Sequence, residues 1–228
     1  SVGRAFLACS MASNCAWNDI AYCCKGMLQR ATPRLAAFNS PRGIAYSLIG
    51  LCKGDFPFFS EKYLYNTVKL LAAKLINMYN SKRSRNWKWF EDQLTYCNGI
   101  LPHALFAVYL FNGDKKCLKV DHESLTFLND ILFAKGYLNI VGNEGWYHRG
   151  GKLPVWDQQP VDAASIIFAC REAHQAIGLG EYLELIHMGH QWYRGKNVNG
   201  LSLYNPQTGG CYDALTRQGV NFNQGAEA

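Results

Sequence analysis

The sequence predicts an all-α fold, a single α/α toroid over residues 1–228 in which inner and outer helices alternate around a hollow. Three observations predict it. Apolar residues recur with the period of amphipathic helices. A second class of helix is apolar nearly all round, rich in small residues and opened by proline. Glycine turns separate the two classes in a repeated order.

The segment from Gly3 to Arg30 supplies a first helical pair. An all-round apolar helix then runs from Pro41 to Cys52 and stops at Gly54-Asp55. From Ser60, Leu64, Val68, Leu71, Leu75 and Met78 alternate steps of four and three, one face of an amphipathic helix. The order repeats with an apolar helix from Pro102 to Leu110 and a stop at Gly113-Asp114. The stripe Leu118, Leu125, Leu128 and Leu132 follows, with Asp121, Glu123 and Asp130 turned elsewhere. It repeats again with Pro160 to Cys170, a stop near Gly178 and Gly180, and the stripe Tyr182, Ile186, Gly189 and Tyr193. Proline suits a first helical turn, where its missing N–H would be unpaired anyway, and glycine past the last turn ends a helix. A helix apolar on all sides must be enclosed by protein, so the alternation implies two concentric layers. Asn223 to Ala228 reads as the threshold of another buried helix. A closed six-hairpin ring needs more helices than these, so the ring is expected to be incomplete or the chain a fragment. A helix-pair solenoid is the competing geometry, but its repeats are usually shorter and more uniform.

Composition narrows the function. With 228 residues, 49% hydrophobic and 18% charged, the chain supports one sizeable core rather than disorder. No apolar stretch approaches the roughly 20 residues of a spanning helix, so no membrane partner is expected. The nine cysteines include no C-x-x-C pair, and most lie in apolar helical patterns, which points to reduced thiols and a cytoplasmic compartment. The net charge is +6, with Lys82, Arg83 and Arg85 clustered before Trp87. A solvated helix end accounts for that cluster, and the other cations are scattered, so no nucleic-acid partner is expected. P-loop, dinucleotide and nucleophile-elbow motifs are missing. Glu184 and His187 have the spacing of half a di-iron site without a second half. No cofactor or metal is expected.

The connections leading back to each apolar helix are long and crowded with aromatic, acidic and amide residues, and a two-layer barrel gathers them at one mouth. Aromatic rings beside carboxylates and amides suit sugars, which present an apolar C–H face and a rim of hydroxyls. Glycoside cleavage uses two carboxyls. Asp92 and Asp157 are the acid/base candidates, each near tryptophan and shortly before an apolar helix, with Glu91 and Glu144 beside them. Trp89, Tyr96, Asn98, Trp146, Tyr147, Gln158, Gln159, Asn223, Gln224 and Glu227 are the substrate-binding candidates. Two plainer readings stay open: Trp87, Trp89, Trp146 and Trp156 plug the mouth, and Asp92 and Asp157 cap helices. Asp162 and Glu227 fall just inside apolar helices, where an acid is costly without a partner. His103, at the start of another, is a possible acid or base.

Five ordered runs carry a resemblance: Trp87-x-Trp89-Phe90-Glu91-Asp92-x-Leu94-Thr95-Tyr96-x-Asn98, Val141-Gly142-Asn143-x-Gly145-Trp146-Tyr147, Asp157-Gln158-Gln159-Pro160, Leu203-Tyr204-x-Pro206-x-Thr208-Gly209-Gly210-Cys211, and Asn221-x-Asn223-Gln224-Gly225-Ala226-Glu227. Together they are similar to a bacterial helical domain that follows, or stands beside, a group-1 glycosyltransferase. The resemblance implies an α/α toroid akin to six-hairpin glycosidases and a role in carbohydrate metabolism. It also implies that family members carry an acidic segment before this chain's first helix and a closing helix after its last. The function it suggests is glycoside processing on a carbohydrate ligand. The alternatives are a non-catalytic glycan-binding module assisting a partner glycosyltransferase, and a sugar epimerase using His103, His148 or His190.

Overall fold

The computed structural model describes residues 2–223. It is predominantly helical. The helices are α1 (Val2–Ala12), α2 (Asn18–Ala31), α3 (Pro41–Lys53), α4 (Glu61–Lys82), α5 (Ile100–Asn112), α6 (Lys115–Leu132), α7 (Pro160–Ile177) and α8 (Glu181–Tyr193), with a 3-10 segment at Thr32–Ala37.

Local chemistry explains most boundaries. Ser40 and Ser60 accept hydrogen bonds from the N–H groups of Gly43 and Tyr63, and Asp114 accepts one from Lys116, so three helices begin on a side-chain cap. Gly113 and Gly178 end α5 and α7 in the left-handed conformation, with φ of 74° and 78°, where a Cβ is penalised. Gly54 follows α3 in an extended conformation instead. Two expected boundaries shift. Helix α5 starts at Ile100, placing Pro102 later in the first turn, and α7 continues past Cys170 to Ile177. The continuation carries Glu172 into a buried site, which is tolerable because Lys53 reaches it at 2.7 Å.

Consecutive helices pack as the hairpins α1/α2, α3/α4, α5/α6 and α7/α8, while α1, α3, α5 and α7 also pack side by side in that order. The result is an inner row of odd-numbered helices backed by the even-numbered ones. Neighbouring inner helices run in the same direction: Gly3 lies against Gly43 and, further along, Ser10 lies against Gly50. Such approaches need glycine. A Cβ on Gly99 would lie 2.2 Å from the carbonyl oxygen of Ser165, so α5 enters its place against α7 only without a side chain. The core between the rows holds Leu48, Leu75, Leu105, Phe106, Leu125 and Leu128, all fully buried.

Three findings correct what the sequence predicts. Short strands knit the long connections together: β1 (Gln93–Leu94) pairs antiparallel with β2 (Tyr147–His148), and β3 (Ala214–Thr216) with β4 (Gly219–Asn221). Runs of two or three residues leave no readable period. Asp121, expected to face away from the apolar stripe, is fully buried with both carboxyl oxygens unpartnered. The cysteines are free thiols, but only Cys97, Cys117 and Cys170 are fully buried. No described helix is long and apolar enough to cross a membrane.

Candidate functional site

Because the inner helices are parallel, their N-terminal ends lie together, and the connections entering α5 and α7 arrive there. A buried cation organises this end. Arg42, in the first turn of α3, donates Nε–H to the Tyr96 carbonyl at 2.7 Å, one Nη to Glu91 at 2.6 Å and the other to Asn98 Oδ1 at 3.2 Å. Every edge of the guanidinium is therefore in use, which is what lets the charge stay buried. Asn98 in turn closes a small loop, accepting from Thr95 N–H at 3.0 Å and donating to the Thr95 carbonyl at 2.8 Å. Trp87 donates its indole N–H to the Glu91 carbonyl at 2.7 Å and so sets the position from which Glu91 reaches Arg42.

Above Arg42 stands Tyr96, partly exposed, with the guanidinium 4.9 Å from its ring centroid and that of Arg4 at 5.7 Å. Trp146 lies beside it at 6.4 Å between ring centres. Two cations on one ring hold it in place, giving an aromatic platform at the solvent boundary.

Below the platform is a buried acid. Asp162, in the first turn of α7, accepts a hydrogen bond from the Cys97 backbone N–H through one oxygen, while the other is sealed from solvent without a partner. Burial raises its pKa to about 7, against the lowering effects of the Cys97 N–H, Arg42 and Arg4. Cys97 holds a left-handed backbone with φ of 47°, a strained conformation for a residue with a side chain; that turn aims its N–H at Asp162. Burial also raises the pKa values of the Cys97 thiol and the Tyr46 phenol beside it.

The candidates read from sequence are distributed as follows. Glu91, Tyr96, Asn98 and Trp146 come together around Arg42. Asp92 is exposed and pairs with Lys82. Asp157 is half-buried, in a left-handed conformation with φ of 58°, and its carbonyl accepts from Asn143 N–H. Neither aspartate caps a helix; the cap positions of α5 and α7 are Gly99 and Gln159. Gln159 makes no side-chain cap bond. Glu144 is exposed and pairs with Arg217 at 3.3 Å. Trp89 is fully buried against Phe90 and Phe127, so its faces belong to the core and offer no stacking surface. Tyr147 is half-buried on β2, its ring 5.8 Å from Trp87. Gln158 is also internal, accepting from the Trp192 indole and donating to Asn139, each at 3.0 Å. Asn223 donates to Asp213 at 2.7 Å. Gln224 and Glu227 lie outside the described residues. His103 sits in the inner row, His148 on β2 and His190 on the outer helix α8.

Arg4, Arg42 and Tyr46 were not read as site residues. For Arg42 a signal was available: a guanidinium two residues into an otherwise apolar helix demands partners. Asp162 carried the same signal. A scan against protein-family models and a search of curated proteins both return no match.

Proposed function

We propose that this chain is a carbohydrate-binding module of α/α-toroid type, with its sugar site at the N-terminal mouth of the inner row. The observation that supports it best is the Tyr96 platform: an exposed ring fixed by two guanidiniums, flanked by Trp146 and edged by Glu91. Such a surface offers an apolar face to sugar C–H groups and the remaining Glu91 carboxylate oxygen as an acceptor to their hydroxyls. It is held in place before ligand arrives, so little freedom is lost on binding. In this reading the inner row is an arc of the toroid, and a glycosyltransferase is the partner for which the module docks a glycan. Nine unpaired thiols support a reducing, cytoplasmic setting.

The test begins with a glycan array and continues with calorimetry on the best hit. Tyr96→Ala and Trp146→Ala are each expected to weaken binding by about tenfold, as loss of a stacked ring does, with unfolding midpoints little changed. Failure of every glycan to bind, or wild-type affinity in both variants, overturns the proposal.

One observation favours a second reading, glycoside processing. Asp162 holds a proton close to neutral pH, as a general acid must, and Glu91, which also interacts with Arg42, is the candidate for the second carboxyl. Product analysis separates the readings: hydrolysis lost in Asp162→Asn with binding retained selects processing, and saturable binding without product selects docking.

A further inference from the structure

The inner row carries a second feature, on the face turned away from the even-numbered helices. A groove of about 330 Å³ runs along it from Tyr46 and Cys97 down toward the C-terminal ends of α3 and α7. Its walls are apolar, formed by Leu7, Ile49, Ile100, Val161 and Phe168. Its lower end is charged, formed by Lys53, His103, Arg171 and Glu172.

The charges at that end do not cancel. Lys53 is committed to Glu172 at 2.7 Å. Arg171 is exposed at the rim, with no ion pair among the described residues, so the end carries a surplus of one positive charge. His103 adds hydrogen-bonding capacity without adding charge. Both its ring nitrogens are sealed from solvent and lack a hydrogen-bond partner, the closest approach being Nε2 to Glu172 at 3.7 Å. Burial, with Lys53 and Arg171 nearby, lowers its pKa to about 3, so the ring is neutral and offers one donor and one acceptor. The buried imidazole has no hydrogen-bond partner among the described residues, and the guanidinium beside it has no ion pair, so the charged end of the apolar trough is left electropositive.

We propose that this groove binds a small apolar monoanion of the medium-chain carboxylate class, its carboxylate held by Arg171 at the charged end and its chain lying along Ile49, Ile100 and Phe168. The chemistry excludes the neighbouring classes. A cation meets Arg171; a neutral chain gains nothing from the surplus charge; a dicarboxylate with its charges at opposite ends places the second against the apolar walls. The site depends on different side chains from the sugar platform, and the proposal stands or falls independently of it.

Calorimetry of the whole chain with octanoate, octanol and octylammonium tests the idea. One octanoate is expected per chain, with octanol about tenfold weaker and octylammonium silent. From butanoate to octanoate, affinity is expected to rise about three- to fourfold per methylene. Arg171→Ala, at an exposed position that does not endanger folding, should weaken octanoate by about tenfold and leave octanol unchanged. Ala164→Trp, which fills the groove, should abolish both. Equal binding of octanoate and octanol overturns the proposal, as does undiminished octanoate binding by Arg171→Ala. Sedimentation showing a dimer that octanoate neither dissociates nor binds assigns the face to a second copy and likewise overturns it.

Discussion

Asp162→Asn separates the cost of a buried acid from its use. In the folded chain the carboxyl titrates at about 7 rather than at an aspartate's ordinary 3.8. Between those values the folded state keeps a proton that the unfolded state has released. The sign follows directly: stability from this group is fully present below pH 3.8 and is lost as pH rises to about 7. At about 1.4 kcal/mol per pH unit the interval amounts to about 4 kcal/mol. Asparagine has no proton to lose, and its amide oxygen can still accept from the Cys97 N–H. Its new N–H donors face the buried side where Asp162 Oδ2 has no partner, at a cost of about 1–3 kcal/mol. The variant should therefore be less stable than wild type by about 1–3 kcal/mol at pH 4 and more stable by about 1–3 kcal/mol at pH 8. Urea unfolding at pH 4, 6 and 8 reads both values, and carboxyl-carbon NMR reads the titration itself. Parallel pH dependences in the two proteins, or an Asp162 resonance that titrates below pH 5, would refute the assignment of a buried, proton-holding acid.

Two further outcomes rest on the same physics. Asp121 is buried with neither oxygen partnered, and desolvation raises its pKa to about 9. Its stability contribution is lost as pH climbs from 3.8 toward 9, so Asp121→Asn should raise stability at pH 7 by about 1–3 kcal/mol, the proton cost removed less the cost of an unpaired amide; unfolding midpoints across pH 5 to 9 check it, and an unchanged slope counts against it. Arg42→Ala removes one cation from three acceptors at once, two of them on a buried loop, and is expected to cost about 3–5 kcal/mol; a loss under about 1 kcal/mol by denaturant titration would mean that Arg42 does not hold the mouth together.

How far the sequence could be read depended on the type of signal. Helices declared themselves through periods and punctuation: Pro41 and Gly178 are local chemistry, and local chemistry survives into the fold. Burial of loop aromatics is not local. Trp89 and Trp146 belong to similar stretches, yet one is enclosed by Phe127 from α6 and the other stands beside Tyr96 near solvent. Only the packing of α6 against α5 decides which. The acids divide the same way. Asp92 and Asp157 attracted attention through neighbouring tryptophans, a statement about sequence adjacency; Asp162 did so through its place within an apolar helix, a statement about solvation. The second argument led to the acid whose titration burial moves. Asp121 escaped because a stripe drawn through leucines assumed that every acid beside it points outward.

The charges of the inner row are costliest to the fold at one of its two ends. Parallel helices align their dipoles, so one end of the row is positive and the other negative. Lys53 lies in the last turn of α3, where a cation is favoured. Arg4 and Arg42 lie in first turns, where a cation is opposed. They are kept there by Glu91, by the Tyr96 ring and by the nearby Asp162 carboxyl, the last of which is itself desolvated. Apolar residues of similar volume would avoid both costs. Even with two guanidiniums, a backbone N–H and a helix N-terminus favouring the carboxylate, burial keeps Asp162 titrating near neutrality. A ligand that excludes further water from the mouth would push the acid toward its protonated form, and one that brings a donor would push it toward the carboxylate. A sugar bound as proposed would therefore change the proton occupancy of Asp162, at the end of the row where the fold is least favourable to its own charges.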